Sequence, residues 1–268
     1  MILNEGGNVF KTEPEKELIT TRIATPDVDP TIKFLEKIIG FEIDEQDLLG
    51  TTGKKINPGG SFKENSSGDL DINTDANKVS KDELKSKLAA WLKSQGIPDQ
   101  DIMNKGRTKQ DGWIHDAGDQ VHFRTPIKGN ANNGFVQTDF MFTLKPDYQR
   151  GAKRGGTDAF PGKYRAMLLA SLARGRGYKM SPKFGIVDPE NGDAVVTDDW
   201  KKGIPELLLG PGAKEEDTFT VESMIEFIKN DPNYEELVAQ FKDTLEKDGL
   251  ALPESTRELD RIRELAGL

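Results

Sequence analysis

Three aspartates have the residue type and spacing best suited to chemistry in this sequence. Asp69 and Asp71 stand one residue apart in GGSFKENSSGDLDINTD, and Asp139 follows much later in GFVQTDFMFTL. Asp139 interrupts an otherwise apolar run, and a buried carboxylate tends to be neutralised, paired or bound to metal because burial without a partner is costly. Three convergent carboxylates would repel one another unless a cation held them. Hard oxygen ligands of this kind favour Mg²⁺ or Mn²⁺.

Two simpler explanations compete for the first two aspartates. One is a calcium-binding loop counted from Asp69, but its glycine position is Thr74 and its bidentate glutamate position is Ser80. The other is an exposed acidic turn, which leaves Asp139 unexplained. A metal site that draws on both parts of the chain accounts for all three acids.

Two Gly-rich stretches before the aspartates could bind phosphate. Small residues let backbone N–H groups approach phosphate oxygens closely, and a hydroxyl adds a further donor. One stretch contains Gly60 and Ser61; the other is LLGTTGKK, in which an apolar strand runs directly into Gly50 and Thr51. The spacing to Asp69 favours the first stretch slightly, and both remain open.

The elements around these residues are predicted to place the aspartates on one face of a sheet. In GDLDI the apolar residues alternate with the two aspartates, which is typical of a half-buried strand. DQVHFRTPI and GFVQTDFMFTL alternate in the same way, and KGNANNG between them suits the turn of a hairpin. If the GDLDI strand lies beside the strand of Asp139, with both apolar faces against helices, all three carboxylates emerge on the opposite face.

The rest of the chain predicts an α/β (α+β) fold with a small mixed sheet covered by helices and a mostly helical second part. Helical periodicity marks PTIKFLEKIIG, SKDELKSKLAAWLKSQG, KYRAMLLASLARG and most of the chain after residue 220, and KFGIVDPENGDAVV predicts a small hairpin. Residues 1–29 are expected to form an irregular arm and 99–118 a loop-rich connection. The predicted divisions are 1–45, an arm and helix; 46–150, a catalytic core; and 151–268, a helical binding part.

Composition excludes several other kinds of site. The 268-residue chain has no Cys, which excludes thiolate metal sites and cysteine nucleophiles, and its two histidines leave few histidine-based alternatives. We expect His122 to be a structural or peripheral residue. No apolar run approaches the ~20 residues needed to cross a bilayer, and MILNEGGNVFK lacks the features of a secretion signal. A cytoplasmic protein with no membrane partner is therefore expected.

The charge distribution suggests an anionic partner despite a net charge of −9. Between Tyr148 and Val187 there are nine basic residues and one acid, Asp158. A local field of this sign attracts phosphates. The alternative is a solvated helix face with basic loops.

The stretch GSFKENSSGDLDI resembles the signature of the DNA polymerase beta-like nucleotidyltransferase superfamily, in which Gly-Ser and a short linker precede Asp-x-Asp and a third Asp lies on a later strand. This motif is most similar to the corresponding sequence in the palm and following subdomain of family X DNA polymerases. The resemblance implies that triphosphate binding uses Ser61, Ser67 and Gly68, together with Gly60. It implies that Asp69, Asp71 and Asp139 are the catalytic metal ligands, and that Asp139 also activates the acceptor hydroxyl.

The downstream segment FPGKYRAMLLASLARGRGYKMSPKFGIV is similar, more loosely, to the nucleotide-facing subdomain of the same family. This similarity implies that Lys163 and Arg165 lie near the incoming nucleotide or the acceptor strand. Residues 1–45 are too short for the lyase and helix-hairpin-helix modules with which family X polymerases grip DNA. The sequence therefore leaves the acceptor open.

The expected activity is transfer of a nucleoside monophosphate from an NTP or dNTP to an acceptor hydroxyl, with Mg²⁺ or Mn²⁺ as cofactor. A nucleic-acid 3′ end suits the basic segment best. The alternatives are transfer to a protein or small molecule, and a non-catalytic protein of the same fold that serves as a structural or nucleic-acid-binding component.

Overall fold

A computed structural model of the protein describes residues 9–12, 15, 17–50, 52, 65–104, 110–157, 160, 162–181 and 183–250. The described residues fall into two compact units, the first ending at Pro146 and the second beginning at Asp147. This boundary is close to the predicted division between residues 150 and 151. Each unit has its own hydrophobic core.

A mixed sheet forms the centre of the first unit. Its described strands, in sheet order, are β2 (Leu48–Leu49), β4 (Asp69–Asp75), β7 (Phe135–Thr143), β6 (Gln120–Pro126) and β5 (Ile114–Ala117). Strands β4 and β7 are parallel, and the other neighbouring pairs are antiparallel. The predicted hairpin is confirmed and consists of β6 and β7.

Helices cover one face of this sheet. The helices of the first unit are α1 (Thr25–Ile39), α2 (Lys81–Ser94) and α3 (Asp99–Ile102). The Ser80 hydroxyl caps α2 by accepting a hydrogen bond from the Glu83 backbone N–H at 3.1 Å. Helix α1 ends at Gly40, which adopts the left-handed φ of 72° that glycine favours at this position. Apolar side chains of α1, α2 and the strands form one core, so the polar side chains of the strands emerge on the other face.

The predicted irregular arm is wrong for residues 23–29, which form a strand and the start of a helix. Strand β1 (Ile23–Ala24) pairs with β3 (Ser66–Ser67) in an antiparallel ladder, and the Thr21 backbone N–H donates to the Phe135 carbonyl at 2.7 Å. Helix α1 begins at Thr25, before the predicted start at Pro30. Its first turn contains Pro26, and a proline is tolerated there because the first turn of a helix does not use the missing N–H. The N-terminal segment is therefore built into the first unit.

The predicted loop-rich connection between residues 99 and 118 is also wrong in part. It contains α3 and the edge strand β5. Strand β5 has the sequence IHDA, in which only Ile114 is fully buried. A strand this short and polar has no alternating pattern that a sequence could reveal.

The second unit is mostly helical, as predicted. Its described elements, in chain order, are α4 (Pro146–Lys153), α5 (Gly162–Gly175), β8 (Lys179–Ser181), β9 (Gly185–Asp188), β10 (Ala194–Thr197), α6 (Gly203–Leu209), α7 (Val221–Ile228) and α8 (Tyr234–Lys247). The predicted hairpin is β9–β10, and β8 extends it to a three-stranded antiparallel sheet. Helix α4 begins at the unit boundary and contains the start of the basic segment that runs from Tyr148 to Val187.

The described elements confirm the predicted mixed α/β fold class. Across the part of the chain that the structure describes, no helix has both the length and the apolar character needed to span a membrane.

Candidate metal centre

The parallel pairing of β4 with β7 brings the three aspartates together. Asp71 lies directly opposite Asp139 in the ladder, and Asp69 lies opposite Gln137. One carboxylate oxygen from each aspartate lies within 4.8 Å of the corresponding oxygens of the other two. The expected convergence of the three acids is therefore confirmed.

Strand alternation explains why all three carboxylates share a face. Leu70 and Ile72 are buried in the core of the first unit, and the aspartates on either side of them point the opposite way. Phe140 points into the same core, next to Asp139. Strand β4 stays paired with β7 as far as Asp75. This pairing also rules out the calcium loop, because such a loop would wrap these residues around one ion.

The donor set fits Mg²⁺ or Mn²⁺, because all three side chains offer carboxylate oxygens. The electrostatics of the metal-free protein point the same way. Burial, and next the charge of Asp139, raise the pKa of Asp69 to about 6, while the nearby Arg22 guanidinium acts in the opposite direction. A cation beside these carboxylates would favour their ionised form.

Asp139 is buried, and each of its carboxylate oxygens lies within hydrogen-bond distance of a neighbouring side chain. His122 Nδ1 lies 2.7 Å from Oδ1, and Gln137 Nε2 donates to Oδ2 at 3.2 Å. The Gln137 Oε1 atom in turn accepts from the Val9 backbone N–H at 2.9 Å. Only 5% of Asp139, 6% of His122 and 2% of Gln137 is exposed, so bulk water has little access to these contacts.

His122 was predicted to be a structural or peripheral residue, and its contact with Asp139 was not predicted. The hairpin register was the signal that could have revealed it. Because the turn pairs Pro126 with Phe135, moving away from the turn by the same number of residues on each strand places His122 directly opposite Asp139. His115 follows in the same cross-strand row, opposite His122 on β5.

The described part of the LLGTTGKK stretch lies against the aspartates. Leu49 pairs with Asp71, and a Cβ atom placed on Gly50 would lie 2.3 Å from Asp71 Oδ2. The hydroxyl of Thr52 donates to the Asp69 carbonyl at 3.0 Å. Thr51, Gly60 and Ser61, which were also predicted to bind phosphate, lie outside the described residues.

Ser67 and Gly68 lie beside an arginine that sequence analysis did not select. The Arg22 guanidinium donates to the hydroxyl and to the carbonyl of Ser66, at 3.0 and 3.1 Å. A Cβ atom on Gly68 would lie 3.6 Å from Arg22 Nη1. The Ser67 hydroxyl is buried and has no hydrogen-bond partner among the residues that the structure describes. These residues place a cation and an unsatisfied hydroxyl next to Asp69.

The prediction that Arg165 contacts a nucleotide or acceptor strand is wrong. Its side chain is buried in the second unit and donates to three backbone carbonyls, those of Gly151, Ala152 and Thr218, at 2.7, 2.9 and 2.6 Å. These bonds hold α4, α5 and the turn before α7 together. Lys163 is partly exposed on α5, with Nζ 5.6 Å from the centre of the Tyr164 ring.

The basic segment is less positive in three dimensions than in sequence. Arg176 pairs with Asp231, Arg150 with Asp147 at 2.6 Å, and Lys179 with Asp193 at 3.5 Å. The three acids lie outside residues 148–187, so a count along the sequence does not include them. Part of the apparent positive field is therefore neutralised within the second unit.

No protein-family model matches the chain, and neither a curated protein nor a solved structure matches it. The functional conclusion therefore depends on the chemistry of the site itself.

Proposed function

We propose that the protein is a metal-dependent nucleotidyltransferase, which transfers a nucleoside monophosphate from an NTP or dNTP to an acceptor hydroxyl. The observation that carries this proposal is the convergence of Asp69, Asp71 and Asp139 within 4.8 Å on one sheet face. The three acids come from two strands far apart in sequence. Their mutual repulsion is unfavourable, and a bound cation would offset it.

The site residues divide the work of an in-line displacement. The acceptor oxygen forms a bond to the α-phosphorus, the bond to the bridging oxygen breaks, and pyrophosphate leaves. Asp139 accepts the proton of the acceptor hydroxyl. Asp69, Asp71 and Asp139 would hold Mg²⁺ or Mn²⁺, which when bound supplies electrostatic stabilisation of the attacking and leaving oxygens.

Residues at the start of β4 would bind the phosphates of the nucleotide. Arg22 offers a planar guanidinium suited to phosphate oxygens, and its side chain lies beside Gly68 and Asp69. The unpartnered Ser67 hydroxyl can donate to a phosphate oxygen. The absence of a side chain at Gly50 leaves room for the Asp71 carboxylate, whose Oδ2 atom would lie 2.3 Å from a Cβ atom there.

A nucleic-acid 3′ end is the proposed acceptor, and the excess of basic residues between positions 148 and 187 supports it. A cytoplasmic location is proposed with it.

The test is a transfer assay with α-labelled NTPs and dNTPs, Mg²⁺ or Mn²⁺, and a panel of acceptors. The panel contains a primer-template, single-stranded RNA, tRNA and small hydroxyl compounds, and mass spectrometry of the protein detects transfer to itself. We expect labelled product on a nucleic-acid 3′ end, and its loss in Asp139→Asn. The matched control is Asp82→Asn, an equivalent change at an acid whose side chain is 90% exposed on α2. No transfer to any acceptor, combined with no metal-dependent nucleotide binding, would refute the proposal.

A further inference from the structure

The geometry points to His122 and Gln137 as positioning residues that hold the Asp139 carboxylate in one orientation for metal binding and for proton transfer. This inference rests on the proposed function, since it assigns these two residues a role in the same site. Neither side chain needs to contact the nucleotide. Both act through Asp139.

The sheet register places the two residues on either side of Asp139. His122 is its direct cross-strand partner on β6, and Gln137 precedes it by two positions on the same face of β7. The two hydrogen bonds reach different oxygens, Oδ1 and Oδ2. Rotation of the carboxylate about its Cβ–Cγ bond would break both, so the pair fixes the plane of the group.

Hydrogen-bond chemistry determines the protonation of each partner. When Asp139 is ionised, its oxygens only accept hydrogen bonds, and His122 then donates from Nδ1. The amide of Gln137 has one possible orientation, because its Oε1 atom accepts from the Val9 N–H and its Nε2 group therefore faces Asp139. Each carboxylate oxygen retains further lone pairs, which remain available to a metal ion.

The N-terminal segment takes part in this arrangement. Val9 anchors Gln137 through its backbone N–H, and the Val9 carbonyl accepts from the Asn104 side-chain amide at 3.3 Å. The orientation of Asp139 therefore depends on a segment distant in sequence from the three aspartates.

Three variants separate positioning from general stabilisation. His122→Leu removes the hydrogen bond to Asp139, and His122→Asn restores an N–H donor at about the position of Nδ1. Thr125→Val is the matched control, because Thr125 and Thr138 form a buried hydrogen bond of 2.6 Å between the same two strands, and Thr138 lies between Gln137 and Asp139 on the opposite face. Unfolding midpoints show how much stability each variant loses.

The main readout is Mn²⁺ affinity, measured by calorimetry or electron paramagnetic resonance on the full chain. Partners of a metal-ligating carboxylate typically contribute about 10- to 100-fold to metal affinity or activity. We expect a loss of about that size in His122→Leu, recovery to within about threefold in His122→Asn, and wild-type affinity in Thr125→Val. We expect Gln137→Leu to resemble His122→Leu. Where transfer is detected, kcat falls in parallel while KM for the nucleotide is unchanged.

Imidazole ¹⁵N NMR of the metal-free protein gives an independent readout. We expect His122 to show a protonated Nδ1. A spectrum with the proton on Nε2 alone would overturn the inference, as would equal Mn²⁺ affinity in wild type and His122→Leu. Equal losses in His122→Leu and Thr125→Val would also overturn it. If the wild-type protein bound no Mn²⁺ at all, the proposed function would fail as well, so the two failures are distinguishable.

Discussion

Asp71 and Asp139 lie directly opposite each other on the parallel strands β4 and β7. Neighbouring strands lie about 4.8 Å apart, so this register alone brings two carboxylates within reach of one cation. Both are positioned by backbone ladders and not by a mobile loop. The site is therefore preorganised, which an in-line displacement requires because most of its catalysis is positioning and electrostatic stabilisation.

Metal binding should weaken in mild acid because of Asp69. The pKa of its carboxyl is raised to about 6 by burial and then by Asp139, so a proton competes with the metal well above the usual range of Asp. We expect Mn²⁺ affinity to fall about tenfold between pH 7 and pH 5, since the ionised fraction of a group with a pKa of about 6 falls by that factor. Calorimetric titrations across this range measure it. A flat profile down to pH 5 would contradict the assigned shift.

The same shift predicts an opposite trend for the stability of the metal-free protein. Between pH 4 and pH 6 the folded protein binds the Asp69 proton more tightly than the unfolded chain does, so this group's contribution to stability falls as pH rises. Asp69→Asn should therefore stabilise the metal-free protein at pH 8, by on the order of 1–3 kcal/mol. Urea unfolding of both proteins at pH 4 and pH 8 tests this, and a gain of equal size at both pH values would contradict it.

Gly50 should be essential to the site. A Cβ atom there would lie 2.3 Å from Asp71 Oδ2, and the backbone has a φ of 54°. We expect Gly50→Ala to displace Asp71 and lower Mn²⁺ affinity at least tenfold, with a loss of stability of about 1–3 kcal/mol from strain and displacement. The matched control is Gly96→Ala, at a φ of 80° with no atom within 4 Å of the added Cβ, which isolates the backbone strain. Unchanged Mn²⁺ affinity in Gly50→Ala would show that displacing Asp71 does not weaken metal binding.

Arg22 should contribute to nucleotide binding more than to metal binding. Its guanidinium lies beside Gly68 and lowers the pKa of Asp69. We expect Arg22→Ala to raise KM for the nucleotide about 10- to 100-fold, because a charge-assisted hydrogen bond is worth about 1.5–3 kcal/mol. Arg22→Lys keeps the positive charge but not the planar guanidinium, so its KM for the nucleotide should rise less than that of Arg22→Ala. The pH midpoint of Mn²⁺ binding should move upward in Arg22→Ala, and an unchanged KM would contradict the phosphate-binding role.

Arg165 should matter for folding and not for phosphate contact. Replacing it with Leu leaves three backbone carbonyls without their donor, and each unsatisfied buried group costs about 1–3 kcal/mol. We expect Arg165→Leu to destabilise the second unit by more than about 3 kcal/mol, whereas Arg174→Leu, an exposed position on the same helix, should have little effect. Chemical denaturation measures both. Equal small effects would show that the buried guanidinium is dispensable.

The sequence by itself determined the local features of the site. Alternation in GDLDI and GFVQTDFMFTL was sufficient to predict two strands and to place Asp69, Asp71 and Asp139 on the face opposite the apolar residues, because side-chain direction in a strand depends only on position along it. Helical periodicity in SKDELKSKLAAWLKSQG likewise predicted α2, since that periodicity depends only on near neighbours in sequence.

The tertiary structure alone decided which residues share the site with the aspartates. The parallel pairing of β4 with β7, the contact of His122 with Asp139 and the place of Arg22 beside Gly68 all depend on strand order and on the path of the N-terminal segment. The burial of Arg165 depends on carbonyls that become neighbours only when the second unit folds. Such contacts leave no periodic trace in the sequence, because they are selected by packing between segments and not by the conformation of any one of them.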